Sequence, residues 1–249
     1  MKKIIITLAT VIAAMALAAN ANAQLSVGAG YGLASHTAVD KTPNSVTKAD
    51  PTNMSGFYVG AAYGWNFLSR NWGDLSLQPG LTYSFYGKCM EQENTNVEGF
   101  EASYKGSRRD HYLDVPIHVK YAYDVVPGTL KLSAFAGPVF SFGLGATLIE
   151  REESGDNYSN TRFNMYTGKF KTTGKLAGNK FSESGGDGDT NYSMFDLKLG
   201  LGISATLFEM FDVRIAYNIG LLDRMTEKVE GYNRISHTNV FQIGVAYNF

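Results

Sequence analysis

The sequence has a single cysteine, no long apolar run after its first segment and no excess of basic residues. One cysteine, Cys89, excludes an intramolecular disulfide framework and a cysteine metal site, and we expect an unpaired thiol in a loop. No stretch beyond residue 23 approaches the roughly 18 consecutive apolar residues of a transmembrane helix. The 22 basic and 23 acidic side chains exclude a nucleic-acid-binding protein that depends on a basic surface.

The first 23 residues have the pattern of a secretory signal peptide. Lys2 and Lys3 form a positive start, residues 4–19 an apolar stretch, and residues 21–23 a small-x-small cleavage site. The apolar stretch is shorter than the roughly 20 residues that span a bilayer. We therefore expect export, with residues 24–249 as the mature chain. Removing the two lysines leaves 20 basic against 23 acidic residues, a net charge of −3.

Eight segments of the remaining chain alternate between apolar residues and small or polar ones. In a β-strand, this alternation places the two kinds of side chain on opposite faces. Each segment offers about eleven residues, which climb roughly 25 Å at a tilt near 45°, the height of an outer-membrane apolar band. The segments are 25–33, 57–65, 75–85, 113–123, 130–142, 195–203, 211–221 and 241–249.

The connections between these segments alternate in length. The short ones are 68–73, 124–128 and 208–210, and the long, polar ones are 35–54, 87–110, 145–192 and 223–236. Short periplasmic turns and long external loops are typical of outer-membrane barrels. Outward-facing aromatic residues gather near both ends of the segments, as two membrane interfaces require.

Charged residues of these segments fall on the inward face, whereas a soluble barrel would have an apolar interior and a charged exterior. The mean hydropathy of −0.15 agrees with a membrane barrel, because only alternate residues face lipid. The sequence therefore predicts an all-β protein. Its expected fold is an eight-stranded antiparallel up-and-down transmembrane β-barrel with long external loops.

Four segments carry a resemblance to a known family: YLDVPIHVKYAY (112–123), FAGPVFSFGLG (135–145), DLKLGLGISATLFEMFDVRIAYNIGLLD (196–223) and the final FQIGVAYNF (241–249). They resemble the outer membrane protein β-barrel domain family, often labelled porin family proteins and including OmpX-like small barrels. The resemblance covers most of 24–249, with 145–192 as an insertion. It implies a barrel in the cell outer membrane, surrounded by lipid and lipopolysaccharide.

The last predicted strand ends in an aromatic residue. In the resembling family, such a residue is read by the barrel-insertion machinery, so this machinery is an expected partner. The alternating apolar residues that lead to the terminus form the predicted assembly signal. They are Phe241, Ile243, Val245, Tyr247 and Phe249.

Eight ionisable side chains fall on inward positions of the predicted strands. Eight strands enclose an interior just wide enough for side chains to fill it, and buried charges must be paired. We interpret these residues as a lumenal polar plug, and a narrow gated pore is the alternative. The residues are Asp114, His118, Lys120, Lys131, Asp196, Lys198, Asp212 and Arg214.

The sequence predicts no catalytic or cofactor site. Asp114 and His118 lie about 13 Å apart along a strand, which is too far for a direct hydrogen bond. Four residues fall near the loop rim and could form a cluster, but no spacing singles them out: His36, Asp110, His111 and His237. The interpretation of solvated loop histidines is therefore preferred.

No metal site is predicted either. Asp187, Asp189 and Asn191 match the start of a calcium loop. The sixth position of that loop requires glycine and is Tyr192 here, and no glutamate follows at the twelfth position. A flexible Gly/Asp segment is the better interpretation.

The long segment 145–192 is the favoured place for a specific function, as a possible site for a surface ligand. Thr147–Glu153 and Arg162–Phe170 could pair as a hairpin that extends the barrel outward, but both are too charged to span lipid. An exposed strand edge can capture partners by strand addition. We predict a non-enzymatic barrel that structures the outer membrane and presents loops to partners. The alternatives are a low-conductance diffusion pore, then a barrel lipid hydrolase or protease.

Overall fold

The computed structural model describes residues 23–42, 45–97, 100–186, 192–225 and 233–249. The predicted signal peptide, apart from Ala23, lies outside these residues. Within them, no helix is long and apolar enough to cross a membrane. The strands are β1 (Ala23–Thr42), β2 (Ser45–Arg70), β3 (Gly73–Val97), β4 (Phe100–Val126), β5 (Leu130–Ser154), β6 (Asn157–Asn164), β7 (Phe170–Leu176), β8 (Asn179–Gly185), β9 (Phe195–Leu207), β10 (Phe211–Gly220) and β11 (Asn233–Asn248).

Eight of these strands close into a ring. They pair antiparallel in the order β1, β2, β3, β4, β5, β9, β10 and β11, and β11 returns to β1. The closing seam runs from Ser26 opposite Asn248 to Lys41 opposite Asn233. Because each ring strand has two neighbours, no strand edge is exposed at membrane depth, as backbone in lipid requires. The predicted eight-stranded up-and-down barrel is confirmed.

The two ends of the ring differ. At the turn end, short turns join β2 to β3, β4 to β5 and β9 to β10, and both ends of the described chain lie there. At the loop end the strands run on. Exposed outward aromatic residues mark each end of the ring, with Tyr31, Phe57 and Phe142 toward the loop end. Trp65 and Phe211 mark the turn end, so the predicted pair of girdles is confirmed.

The predicted division between an outer and an inner face is also confirmed. Val27, Leu201 and Val245 are exposed on the outer wall, whereas Ser84 and Ser141 are buried inside. This arrangement places apolar side chains against lipid and small polar ones in the lumen. Side chains alternate between the two faces because the strand period is two. The pairing register of a strand therefore decides which residues face lipid and which face the lumen.

Four strands are much longer than the predicted segments. β2 to β5 have 25 to 27 residues each. As a result, segments 35–54 and 87–110, which the sequence predicts as long loops, are mostly continuations of paired strands. Above the membrane both faces of a hairpin can be polar, so the alternation disappears from the sequence. Antiparallel pairing still satisfies the backbone there.

β6, β7 and β8 continue the wall beyond the ring. Thr147–Ser154 pairs with Asn157–Asn164, and Gly155 forms the turn with a φ of +55°. The predicted arm Thr147–Glu153 is therefore confirmed, whereas its partner lies at 157–164 instead of 162–170 because the turn is so short. β7 pairs with both β6 and β8. We call residues 103–109 and 147–154 together with β6, β7 and β8 the extension sheet.

Inward glycines make room for aromatic rings that cross the lumen. A Cβ atom on Gly202 would lie 2.2 Å from Cζ of Phe135, and one on Gly244 would lie 2.2 Å from the Tyr58 hydroxyl oxygen. Both distances are far inside van der Waals contact. The small interior residues are thus a packing requirement of a filled barrel.

Candidate functional site at the loop end of the barrel

A cluster of polar side chains closes the barrel at its loop end. Its members come from inward positions of β1, β4 and β11 and from the segment that follows β10. Because these strands meet at one end of the ring, positions far apart in sequence come into contact. We call this group the mouth cluster: His36, Arg108, Asp110, Tyr112, Arg224 and Thr238.

Arg224 lies at the centre of the mouth cluster and is 0% exposed. Its Nη1 donates to the Tyr112 hydroxyl at 3.0 Å, and its Nη2 donates to the Tyr166 hydroxyl at 2.8 Å and the Ser193 carbonyl at 2.7 Å. Its guanidinium carbon lies 4.4 Å from the ring centroid of Tyr192. Arginine suits this position better than lysine, because the planar guanidinium offers several fixed donors and also stacks on an aromatic ring.

A local turn directs Arg224 inward. Oδ1 of Asp223 accepts hydrogen bonds from the backbone N–H groups of Met225 at 3.0 Å and Ser236 at 2.8 Å. The N–H of Arg224 donates to the Ser236 carbonyl at 2.9 Å. An aspartate that bonds the N–H two residues further on reverses the chain. The segment after β10 therefore folds back over the mouth.

Two tyrosines of the predicted 145–192 insertion cover Arg224. Oδ1 of Asn164 accepts from the N–H of Tyr166 at 2.9 Å, and the rings of Tyr166 and Tyr192 stack with centroids 5.9 Å apart. The Tyr166 hydroxyl lies 2.0 Å from where a Cβ of Gly143 would stand, so that position requires glycine. The insertion is therefore anchored in the barrel mouth.

A carboxylate, an imidazole and a hydroxyl stand in line within the cluster. Arg108 donates to both oxygens of Asp110, at 3.1 and 2.8 Å. His36 places Nε2 3.2 Å from Oδ2 of Asp110 and Nδ1 3.0 Å from Oγ1 of Thr238. This series of polar contacts links β1, β4 and β11 across the mouth.

Burial and the neighbouring side chains set the charges of Asp110 and His36. Burial alone would raise the pKa of Asp110, but the hydrogen bond with His36 and the charge of Arg108 hold it well below its usual range. Burial lowers the pKa of His36 to about 4, although the Asp110 hydrogen bond opposes this shift. His36 is therefore neutral at pH 7, beside an ionised Asp110.

The order Asp110, His36, Thr238 is that of a hydrolytic triad. However, Thr238 is 0% exposed, and Nη1 of Arg224 lies 3.5 Å from its hydroxyl oxygen. A reacting carbonyl must approach the nucleophile to about 3–3.5 Å, and the arginine occupies that side. The geometry favours a structural role over an active site. We call Asp110, His36 and Thr238, which join β4, β1 and β11, the bracket.

Acid is expected to weaken this bracket. The folded pKa of His36 lies below its unfolded value of 6.5, so its contribution is complete above pH 6.5 and is lost as the pH falls toward 4. We expect the free energy of unfolding to drop by about 2 kcal/mol between pH 7 and pH 5. His36→Gln keeps a donor and an acceptor but cannot titrate. Urea titrations of the two proteins at both pH values isolate His36, and parallel curves would contradict this assignment.

Three of the eight predicted plug residues lie next to the mouth cluster. Lys198 donates to Oγ of Ser141 at 2.9 Å and lies 3.7 Å from Oδ1 of Asp114. Ser84 donates to the other Asp114 oxygen at 3.2 Å. Asp196 is buried, and neither of its oxygens has a hydrogen-bond partner among the described residues. The structure therefore pairs Lys198 with Asp114 and leaves Asp196 outside that contact.

Two further predicted residues share an aromatic neighbour in the middle of the lumen. Arg214 donates to Oε1 of Gln78 at 3.0 Å, and its guanidinium carbon lies 4.0 Å from the ring centroid of Phe135. The ring of His118 lies 5.0 Å from the same Phe135 centroid. Asp114 and His118 do not meet, as their strand spacing predicts.

The remaining three predicted plug residues lie toward the turn end. Lys131 lies 3.3 Å from Oδ2 of Asp74, and Asp212 accepts a hydrogen bond from Thr206 at 2.8 Å. Lys120 is half-buried on an inward position of β4. The lumenal charges thus form small separate contacts, not one continuous chain.

Sequence reasoning did not find Arg224. It suggested a rim cluster that included His36 and Asp110 but preferred solvated loop histidines, and this preference is wrong for His36, which is buried beside Asp110 because both lie on inward strand positions. Of the other members of the suggested rim cluster, His111 points outward and bonds the Tyr83 hydroxyl at 2.7 Å, and His237 is half-buried on β11. Arg224 follows Asp223 in a polar segment that carries no periodicity. Only the turn made by Asp223 brings the arginine into the mouth, so the sequence offers no direct signal for it.

Among the described residues, no group of three or more His, Cys, Asp or Glu could hold a metal ion. Asp187, Asp189 and Asn191, which begin like a calcium loop, lie outside the described residues. Cys89 is a free, exposed thiol. It lies on β3, not in a loop as expected.

Four residues of the predicted assembly signal lie on β11, of which Ile243, Val245 and Tyr247 are exposed on the outer wall, and the fifth, Phe249, follows the end of this strand. Phe249 is 72% exposed. Its N–H donates to the Leu25 carbonyl at 2.8 Å, and its ring packs edge-on against Tyr247 with centroids 4.8 Å apart. The terminal ring therefore adds few contacts to the finished barrel.

Several solved structures of outer-membrane proteins are similar to this chain at low identity. Ail of Yersinia pestis, in complex with the heparin analogue sucrose octasulfate, is 13% identical with a TM-score of 0.33, covering 92% of this chain and 99% of its own. OprG of Pseudomonas aeruginosa is 10% identical with a TM-score of 0.37, covering 91% and 95%. The outer membrane enzyme PagL is 9% identical with a TM-score of 0.41, covering 87% and 98%.

No curated protein matches the sequence. The model of the family described as outer membrane protein beta-barrel domain matches residues 18–224. This range includes β1 to β10 and ends at Arg224, so β11 lies beyond it. Family membership implies a location in the outer membrane, in agreement with the ring and its apolar outer wall. The chain belongs to the outer membrane protein beta-barrel domain family.

Proposed function

We propose that this protein is a closed, non-enzymatic outer-membrane barrel that presents the extension sheet at the cell surface. The observation that carries the proposal is the sealed loop end. Arg224 fills the mouth, and Tyr166 and Tyr192 lie over it. A lumen crossed by Phe135 and Tyr58 adds a second obstruction. A barrel whose lumen is filled in this way serves as a rigid support for the extension sheet.

The same proposal includes the route to the membrane. Residues 1–23 act as the signal peptide, and the mature chain begins at Gln24. The exposed ring of Phe249 is then available to the barrel-insertion machinery, since few native contacts occupy it. Lipid and lipopolysaccharide surround the apolar wall, and the loop end faces the cell exterior.

The extension sheet supports a role in surface presentation. β5, β6, β7 and β8 are joined by continuous backbone pairing, so the segment is an ordered platform on the ring wall. Fixed elements that position an exposed surface are a common basis for recognition. Every residue of β8 is exposed, and a strand edge of this kind can receive a partner by strand addition.

Planar-bilayer recording of the refolded protein tests the closed state. We expect no discrete channel openings at neutral pH, because Arg224 is buried in the mouth and held there by Tyr112, Tyr166 and Ser193. Tyr166→Gly removes part of the cover and is expected to produce brief openings, whereas Tyr158→Gly alters a tyrosine of β6 away from the mouth and is the matched control. Frequent openings of the unmodified protein would favour the diffusion pore instead.

A further inference from the structure

The outward face of the extension sheet carries basic residues in like-charged pairs. Arg162 on β6 lies directly opposite Lys171 on β7, and Lys175 on β7 lies directly opposite Lys180 on β8. Directly opposed residues have Cβ atoms about 4.5–5.5 Å apart, and like charges at that spacing are destabilising. Two such pairs lie on one face of the sheet, and an anion bound between the members of each pair would relieve their repulsion.

Nothing in the described chain neutralises these pairs. Arg162, Lys171 and Lys180 are exposed, and no acidic side chain among the described residues forms an ion pair with them. Lys105 and Arg151 form a third like-charged pair, but there Arg151 bonds Glu153. The two outer pairs are therefore the ones that lack compensation.

Most acidic residues of the same sheet lie on its opposite face, and Glu153, which lies on the basic face, bonds Arg151. Glu150 pairs with Thr161, and Thr161 in turn lies opposite Thr172, which pairs with Glu183. These positions alternate with Arg151, Arg162 and Lys171 along the strands, so they point the other way. The outer face of the sheet is thus predominantly basic, and the face over the mouth carries Glu150 and Glu183.

The basic face continues the lipid-facing wall of the barrel. On β5, Phe142 and Leu144 are exposed on that wall. A β-bulge follows, where Tyr112 pairs with Gly143 but His111 pairs with Gly145, and it brings Ile149 onto the same face, opposite Arg162. Seven residues from Phe142 to Ile149 span roughly 23 Å along a tilted strand. At a tilt near 45° this is a rise of roughly 16 Å, so the first like-charged pair stands well above the hydrocarbon boundary, at the level of the oligosaccharide of the surrounding leaflet.

We propose that this face binds the phosphate groups of the lipopolysaccharide that surrounds the barrel. Arg162 with Lys171 and Lys175 with Lys180 form two anion sites roughly 13 Å apart, four strand residues from Lys171 to Lys175. Charge-assisted hydrogen bonds to phosphate are among the strongest available to these side chains, and each basic residue near an anionic leaflet adds binding energy. The inference rests on the proposed function in one respect, that the loop end faces the cell exterior.

Titration of delipidated lipopolysaccharide oligosaccharide, with its phosphates intact, onto the full barrel in detergent micelles tests the proposal. In Arg162→Glu/Lys180→Glu, each like-charged pair becomes an opposite-charged one, so folding is preserved while the anion sites are lost. We expect the Kd to rise at least about tenfold. Lys41→Glu/Lys48→Glu changes the net charge equally at exposed positions of the β1–β2 hairpin and should change the Kd less than about twofold.

Three results would overturn the assignment. They are equal binding of the dephosphorylated oligosaccharide, equal loss in the control variant, and heparin binding without oligosaccharide binding, which would identify a sulfated polysaccharide as the ligand. A separate measurement tests the proposed orientation. Cys89, exposed on β3, should react with a membrane-impermeant maleimide in intact cells. Labelling only after permeabilisation would refute the orientation, whereas labelling without oligosaccharide binding would refute this inference alone.

Discussion

Arg224→Ala is expected to lower the free energy of unfolding of the barrel by about 3–5 kcal/mol, the range for removing one member of a buried charged network. The guanidinium bonds the Tyr112 and Tyr166 hydroxyls and the Ser193 carbonyl. Its loss leaves these groups buried without their donor, and each unsatisfied group adds to the cost. It also removes the ring contact with Tyr192.

Arg234→Ala is the matched control for this substitution. Arg234 lies 3.4 Å from Asp40 on the exposed β1–β11 pair, and exposed ion pairs contribute about 0–1 kcal/mol. Urea titrations in lipid vesicles should therefore separate the two variants clearly. Arg224→Lys should recover only part of the stability, because an ammonium cannot reproduce the planar set of donors. Similar losses for Arg224→Ala and Arg234→Ala would show that the mouth is not held by Arg224.

The ring could be predicted because lipid imposes a period of two on its strands. Val27, Leu201 and Val245 had to be apolar, and the residues between them small or polar, so the sequence contains both faces and the strand number. The even count and the alternating connection lengths then fix an up-and-down order. The paired charges Lys198 and Asp114 were likewise expected inside, since a filled interior needs partners for its charges.

The structure beyond the ring could not be predicted in the same way. Above the bilayer, strand extensions such as residues 103–109 of β4 carry polar side chains on both faces, so no alternation distinguishes strand from loop. Arg224 reaches the mouth through a turn made by Asp223, and its partners Tyr112 and Tyr166 come from distant segments. Such contacts depend on the pairing register of the whole barrel, which no local pattern contains.

Leu199→Arg is expected to destabilise the barrel by about 2–4 kcal/mol, the cost of a cation on the lipid face near the bilayer midplane. Leu199 lies on β9 between Lys198 and Gly200 and is 37% exposed on the outer wall. The guanidinium of an arginine at this position would have to be transferred from water into the hydrocarbon core. The apolar stem can reach toward the interface, which limits the cost but does not remove it.

Leu176→Arg provides the comparison that assigns this cost to lipid. Leu176 is 64% exposed at the end of β7 in the extension sheet, so the same substitution places a charge in water, where surface changes stay within about 0.5 kcal/mol. Leu199→Ala separates the loss of the leucine from the gain of the charge. Refolding titrations of the three variants in vesicles should rank Leu199→Arg as by far the least stable. Equal stabilities for Leu199→Arg and Leu176→Arg would mean that β9 does not face the bilayer, and the register of the ring would have to be redrawn.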